Sequence, residues 1–253
     1  MQRSTTHDRV KWHGPPRWSL IAGAVTLAIG AMMILAPSAA ASSASSAKTI
    51  TAPYSGYGYG YVDFSFYGCG GSASVTAWPA LNLTTGHATY AFGVKQVSCG
   101  TDINSTFADA GAYVYTPISL ASGPQSVETN WKATFAVKLV ATQGSAGQTV
   151  LSEFFVYPYE YVYDSTNGTV EDETGHTSVG GSISPGTFSK TYTNFNFHDW
   201  VNYTFNSSHT YYLYTYFFAF AYAEAGPGSS SATTSISMAS PSHRAILESI
   251  VIS

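Results

Sequence analysis

Basic residues, charge of either sign and cysteine are all scarce in this 253-residue chain, and each scarcity closes a class of function. From Ser42 onward the basic residues are Lys48, Lys95, Lys132, Lys138, Lys190 and Arg244, against thirteen acidic ones. Such a segment has no basic patch for nucleic acid or an anionic lipid surface. Charged residues make up 9% of the sequence, where an ordinary soluble protein has about 25%. Ser, Thr, Asn and Tyr stand in their place. That composition fits an exported β-protein solubilised by hydroxyl groups. It also fits a protein adapted to acid, where few bases limit self-repulsion once carboxylates protonate. There is no Gly-x-Ser-x-Gly elbow, phosphate loop, His-Glu-x-x-His run or zinc-spaced Cys and His cluster, so no catalytic residue, metal or cofactor is assigned.

The two cysteines, Cys69 and Cys99, are an even pair, which in an exported chain reads as a disulfide. Closing a loop of about 30 residues restricts the unfolded chain by roughly 3 to 4 kcal/mol in the entropic model. The export expectation comes from the N-terminus. Arg3, Arg9, Lys11 and Arg17 precede an uncharged apolar run from Trp18 to Ala36, and small residues follow up to Ala41. Residues 1–41 therefore read as a signal peptide, or as a signal anchor if uncleaved. Residues 42–53 read as a flexible Ser/Ala-rich tether, and residues 54–253 as one β-sandwich domain.

The stretch that organises this domain is Phe205–Glu224. Tyr212, Tyr214, Tyr216, Phe218, Phe220 and Tyr222 share one strand face, and Leu213, Thr215, Phe217, Ala219, Ala221 and Ala223 share the other. Both faces being apolar, the pattern predicts a strand buried between two layers. Phe205 and Tyr211 bracket the polar corner Asn206–Thr210, a spacing similar to the tyrosine corner of immunoglobulin-like and fibronectin-like sandwiches. The resemblance covers seven residues and implies a Tyr hydroxyl tied back to the loop backbone. The expected fold is all-β, an antiparallel sandwich of immunoglobulin-like or jelly-roll-like type.

Elsewhere, Tyr59–Phe66 reads as a first strand at an edge, and Ala73–Ala77 with His87–Ser98 as a hairpin. Ser126–Thr142 alternates most clearly, and its length predicts an internal bulge or bend. In Thr149–Tyr163, Tyr157, Tyr159, Tyr161 and Tyr163 form a same-face ladder beside Pro158, which places the ladder near a sheet edge. Asp164–Pro185 is the longest region without strand character. Thr187–Phe205 alternates with Phe195, Phe197, Val201, Tyr203 and Phe205 inward.

Five sequons, at Asn82, Asn104, Asn167, Asn202 and Asn206, exceed chance and mark glycosylation sites in a host with the machinery. Asp199 with His198, and Glu160, are the outward acids to weigh for carboxylate catalysis. Glu171, Asp172 and Glu173, near Asp164, Asn167 and His176, have oxygen ligands of the kind Ca²⁺ takes, but match no known loop spacing. The Tyr ladder and the Tyr-Gly segment Tyr54–Tyr61 carry the most specific indication, because aromatic faces stack on sugar rings. The sequence thus reads as a non-catalytic extracellular or cell-surface protein, an envelope or adhesive component binding glycans or envelope proteins. The alternative is a secreted hydrolase using paired carboxylates.

Overall fold

The computed structural model describes residues 47–253 apart from Glu173. The signal or anchor segment lies outside the described residues, as does the tether up to residue 46. The described residues form fourteen strands and no helix. In chain order these are β1 (Lys48–Ile50), β2 (Tyr57–Tyr67), β3 (Gly71–Asn82), β4 (His87–Val97), β5 (Asn104–Ile118), β6 (Gly123–Thr142) and β7 (Val150–Asp164). They continue as β8 (Thr169–Asp172), β9 (Gly175–His176), β10 (Val179–Ile183), β11 (Gly186–Phe205), β12 (Tyr211–Ala225), β13 (Ser231–Ser237) and β14 (Ala245–Ile252).

Two antiparallel sheets pack face to face, the sandwich that the alternating pattern implies. Sheet A holds eight strands along the order β1, β14, β4, β13, β6, β11, β9, with β3 added to β4. Sheet B holds six, along β10, β7, β12, β5, β2, with β8 added to β7. Residues 48–50 of the expected tether form β1, which pairs with β14, Lys48 opposite Ile252. The region expected to lack strands contributes β8, β9 and β10, short pieces that a search for long alternation passes over.

The long alternating strand β6 runs twenty residues without interruption. The expected irregularity lies in its neighbours. β11 slips register between Tyr192 and Phe195, where Asn194 has φ of 50°, and β14 slips between Leu247 and Ser249. Pro158 stands where the sequence places it: β10 pairs with Ser152–Val156 and β8 with Tyr161–Asp164, and the proline lies in the gap between. Across β12 it faces Phe217, whose carbonyl accepts the Tyr90 hydroxyl from sheet A at 3.3 Å.

Similar bonds stitch the sheets elsewhere. Trp131 Nε1 donates to Thr215 Oγ1 at 3.1 Å, and Thr234 Oγ1 to the Tyr222 carbonyl at 2.6 Å. The core between them is lined by Trp131, Phe135, Phe154, Phe197 and Phe217, with alanines on β5 and β12 admitting the larger side chains of sheet A. Phe205 and Tyr211 close one end edge to face, and the Tyr211 hydroxyl accepts the Asn206 backbone N–H at 3.0 Å. That is the tie a tyrosine corner makes.

Candidate functional site: the aromatic face of sheet B

The strand expected to lie between two layers has one layer only. Leu213, Thr215, Phe217 and Ala219 are buried, while Tyr212 to Tyr222 on the other parity are half-buried at the outer surface. No third layer is needed, because these rings shield one another and keep their hydroxyls at the surface. Strict register puts the aromatic residues of β2, β5, β12 and β7 in rows. One row is Tyr57, Tyr115, Tyr214 and Tyr161; the next is Tyr59, Tyr113, Tyr216 and Tyr159. In the third, Tyr61 lies over Gly111, followed by Phe218 and Tyr157.

Neighbouring rings touch: Tyr161 and Tyr214 stack at 4.5 Å and 13°, and Tyr113 and Tyr216 lie at 4.9 Å. The four ladder tyrosines 157, 159, 161 and 163 are all half-buried on this face. Inner rings therefore present edges and hydroxyls to solvent. At the β2 end the rows have no further neighbour, and Tyr57 is 69% and Tyr59 53% exposed.

The Tyr-Gly alternation of β2 follows from this placement. Its tyrosines face out, and Gly58 and Gly60 face in, where a Cβ would come within 2.9 Å of the Leu81 carbonyl oxygen and 2.2 Å of that of Pro79. Only glycine lets β3 approach so closely.

Burial, followed by hydrogen bonding to Tyr161, raises the Tyr216 phenol well above its ordinary range. Tyr214 is raised by burial and then by Tyr161. The rows are thus neutral hydroxyl donors and acceptors. Beyond the third row lie acids. Asp63 faces Asp109, and Glu153 faces Tyr222, whose hydroxyl donates to Glu224 at 2.5 Å. Burial raises Glu153 above the ordinary carboxylate range, and the Glu224 charge adds to it. The strands of sheet B carry no Lys or Arg, while those of sheet A carry Lys48, Lys95, Lys132, Lys138 and Lys190.

The carboxylates singled out from sequence fall elsewhere. Asp199 is inward and fully buried, because it shares parity with Phe197 and Val201, while His198 is exposed and sits 3.1 Å from Glu128. The two therefore lie on opposite faces of β11 and make no dyad. Glu160 shares the inward parity of Val162 and is also fully buried. Glu160 faces Thr215 and Asp199 faces Thr129, and the two threonines meet between the sheets at 3.4 Å. The two carboxyl groups thus flank a polar bridge in the core. Tyr203, expected inward, is 43% exposed at the end of its strand.

Asp164 is taken up by its turn: Oδ1 accepts the Thr166 and Asn167 amides, and Oδ2 lies 2.6 Å from His209 Nδ1. Burial pushes Asp164 up, but the His209 bond and the two amides outweigh it and hold the group below its usual range.

Cys69 and Cys99 are disulfide-bonded, joining the turn before β3 to the segment that follows β4. Asn104 braces that bridge. Its Oδ1 accepts the Cys69 N–H at 3.2 Å, and its Nδ2 donates to the Cys99 and Asp102 carbonyls at 3.1 and 3.0 Å. It is buried, which takes it out of the glycan acceptors expected from its sequon; Asn82, Asn167, Asn202 and Asn206 are exposed. None of these four lies on the outer face of sheet B.

Neither the family models nor the curated proteins compared with the chain match it. Among solved structures, the chain resembles one described as the structural basis for the promiscuous specificity of carbohydrate-binding modules from the β-sandwich superfamily, at 8% identity and a TM-score of 0.19. The likeness covers 70% of this chain and 54% of that one, so the chain spans about half the length of that structure.

Proposed function

We propose that this is an exported, non-catalytic protein of the cell exterior that binds neutral glycans on the outer face of sheet B. The observation that carries the reading is the set of tyrosine rows, half-exposed across four strands, with open ring faces at Tyr57 and Tyr59. Apolar sugar faces stack on such rings, and sugar hydroxyls pair with the phenols and with Asp63, Asp109, Glu153 and Glu224. A face that carries Asp63, Asp109, Glu153 and Glu224 on strands without Lys or Arg repels uronate, sulfate or sialate groups, which makes the ligand a neutral glycan. The exposed sequons support the same use, since any glycans they carry would leave this face clear. Export is supported by the basic and apolar N-terminal segment and by the disulfide. A glycan-array screen of the wild type beside a Tyr159→Ala, Tyr161→Ala double variant tests the reading: binding to neutral glycans that the variant loses supports it, and an array without binding removes it.

One observation favours a second reading, a hydrolase using paired carboxylates. Asp63 and Asp109 are directly opposed across β2 and β5, where Cβ atoms are about 5 Å apart, and two acids at such a separation suit a retaining glycosidase. Release of reducing sugar from a bound glycan, abolished by either Asp63→Asn or Asp109→Asn while binding persists, would establish it.

A further inference from the structure

Sheets leave edges, and proteins that stay monomeric blunt them with short strands, bulges, prolines, lysines or covering loops. Nearly every edge among the described residues is blunted in this way. β1 has three residues and carries Lys48. β3 contains Pro79 and slips register twice, between Val75 and Ala77 and between Ala77 and Ala80. β11 is broken by its bulge at Tyr192–Phe195, carries Lys190, and is covered at Asp199 and Trp200 by β9. On the far side of sheet B, β8 has four residues and β10 has five, two of them the glycines 180 and 181.

β2 is different. It runs eleven residues in unbroken register with β5, from Tyr57 opposite Tyr115 to Tyr67 opposite Ser105. It contains no proline, lysine or arginine, and Asp63 is its one charged residue. No other strand among the described residues pairs with its outer edge. Its outward rings are the row ends, left open at Tyr57 and Tyr59.

From this we infer that β2 pairs with the β2 of a second copy of this chain, antiparallel about a two-fold axis. The occupant that fits this edge must bring aromatic side chains at alternate positions, so that each tyrosine row continues across the junction, and small residues between them. The strand itself has that pattern, YGYGY. Antiparallel pairing of a strand with its own copy is isologous, so each protomer offers and receives the same surface. Any register that does not place Asp63 opposite itself sets no like charges face to face. Because the other edges are blunted, association closes at two copies. The dimer has one continuous aromatic face, and its existence does not depend on what that face binds.

Sedimentation velocity of the full-length chain, taken up to about 1 mM, tests the inference when run beside Tyr57→Lys and Tyr59→Lys. A lysine on an outward edge position opposes strand addition and leaves the inner face untouched. The expected result is a species of twice 26.9 kDa that both variants return to 26.9 kDa, with a thermal midpoint unchanged at a dilution where the wild type is itself monomeric. Hydrogen exchange provides a readout without substitution: the amides of residues 57–61 that point away from β5 slow as concentration rises, while those of β1 and β10 do not change. A wild type that stays at 26.9 kDa throughout would overturn the inference. So would association that persists in both variants with the β2 amides unaffected.

Discussion

Asp63 stands directly opposite Asp109 on the outer face of sheet B, with Phe220 on the other side of Asp109. Burial is the main cause that raises Asp109, to about 6, and the Asp63 charge adds to it; a hydrogen bond with its own backbone acts the other way. In the folded protein Asp109 keeps its proton to higher pH than in the unfolded chain. Its contribution to stability is therefore full below the ordinary carboxylate range and is lost as pH rises from about 4 to about 6. Relative to wild type, Asp109→Asn gains on the order of 2 kcal/mol at pH 7 and nothing at pH 4, read by urea denaturation at both. An equal difference at the two pH values would show that Asp109 is not the group that titrates.

Thr215 accepts from Trp131 Nε1 and donates to Thr129, all within the core. Thr215→Val keeps the shape and removes the acceptor, leaving the indole N–H buried. The expected loss is about 1 to 3 kcal/mol by chemical denaturation. Adding Trp131→Phe to Thr215→Val should cost less than the two single losses combined. Simple additivity would mean that the bond does not couple the sheets.

Two glycines on sheet B answer differently to a methyl group. At Gly60 a Cβ meets the backbone of Pro79 at 2.2 Å, and at Gly111 it meets the Tyr61 ring at 2.7 Å. A ring can swing outward, whereas the β3 backbone must shift. Gly60→Ala is expected to lose about 3 kcal/mol or more and Gly111→Ala about 1 kcal/mol, compared by denaturation midpoints at constant slope.

Much of this architecture was legible in the residues. The alternation in β6, the cysteine pair, the edge character of β2 and Pro158, and the tyrosine corner each follow from a local rule that the fold obeys. The misreadings have physical reasons. By pattern a tyrosine counts as apolar, so β12 reads as doubly covered, yet the tyrosine hydroxyl lets a packed row of rings form an outer surface. Residue type alone points Asp199 and Glu160 outward although parity puts them inward; the Thr129–Thr215 bridge that accompanies them joins strands of two different sheets and has no sequence signal. The rows of the candidate site depend on the register of four strands: the aromatic alternation of β7 and β12 shows in the sequence, and the alignment of those strands with β2 and β5 does not. β8, β9 and β10 are too short to show a period.

Asn104 separates a sequon that serves the fold from sequons that can serve as acceptors. Asn104→Ala removes the hydrogen bonds around the Cys69–Cys99 bridge and is expected to lower stability by about 2 kcal/mol. In a glycosylating host it leaves the number of attached glycans unchanged, whereas Asn82→Ala removes one. Intact-mass spectrometry of the two variants checks both statements.

The central claim is that the tyrosine rows of sheet B bind neutral glycans. The most direct measurement is calorimetric titration of a neutral oligosaccharide selected by the array into wild type, the Tyr159→Ala, Tyr161→Ala double variant and Lys95→Ala on sheet A. The account predicts a loss of affinity of about tenfold or more in the double variant, roughly 1.4 kcal/mol, and none in Lys95→Ala. Equal affinity in all three proteins would contradict it and place the ligand elsewhere on the molecule.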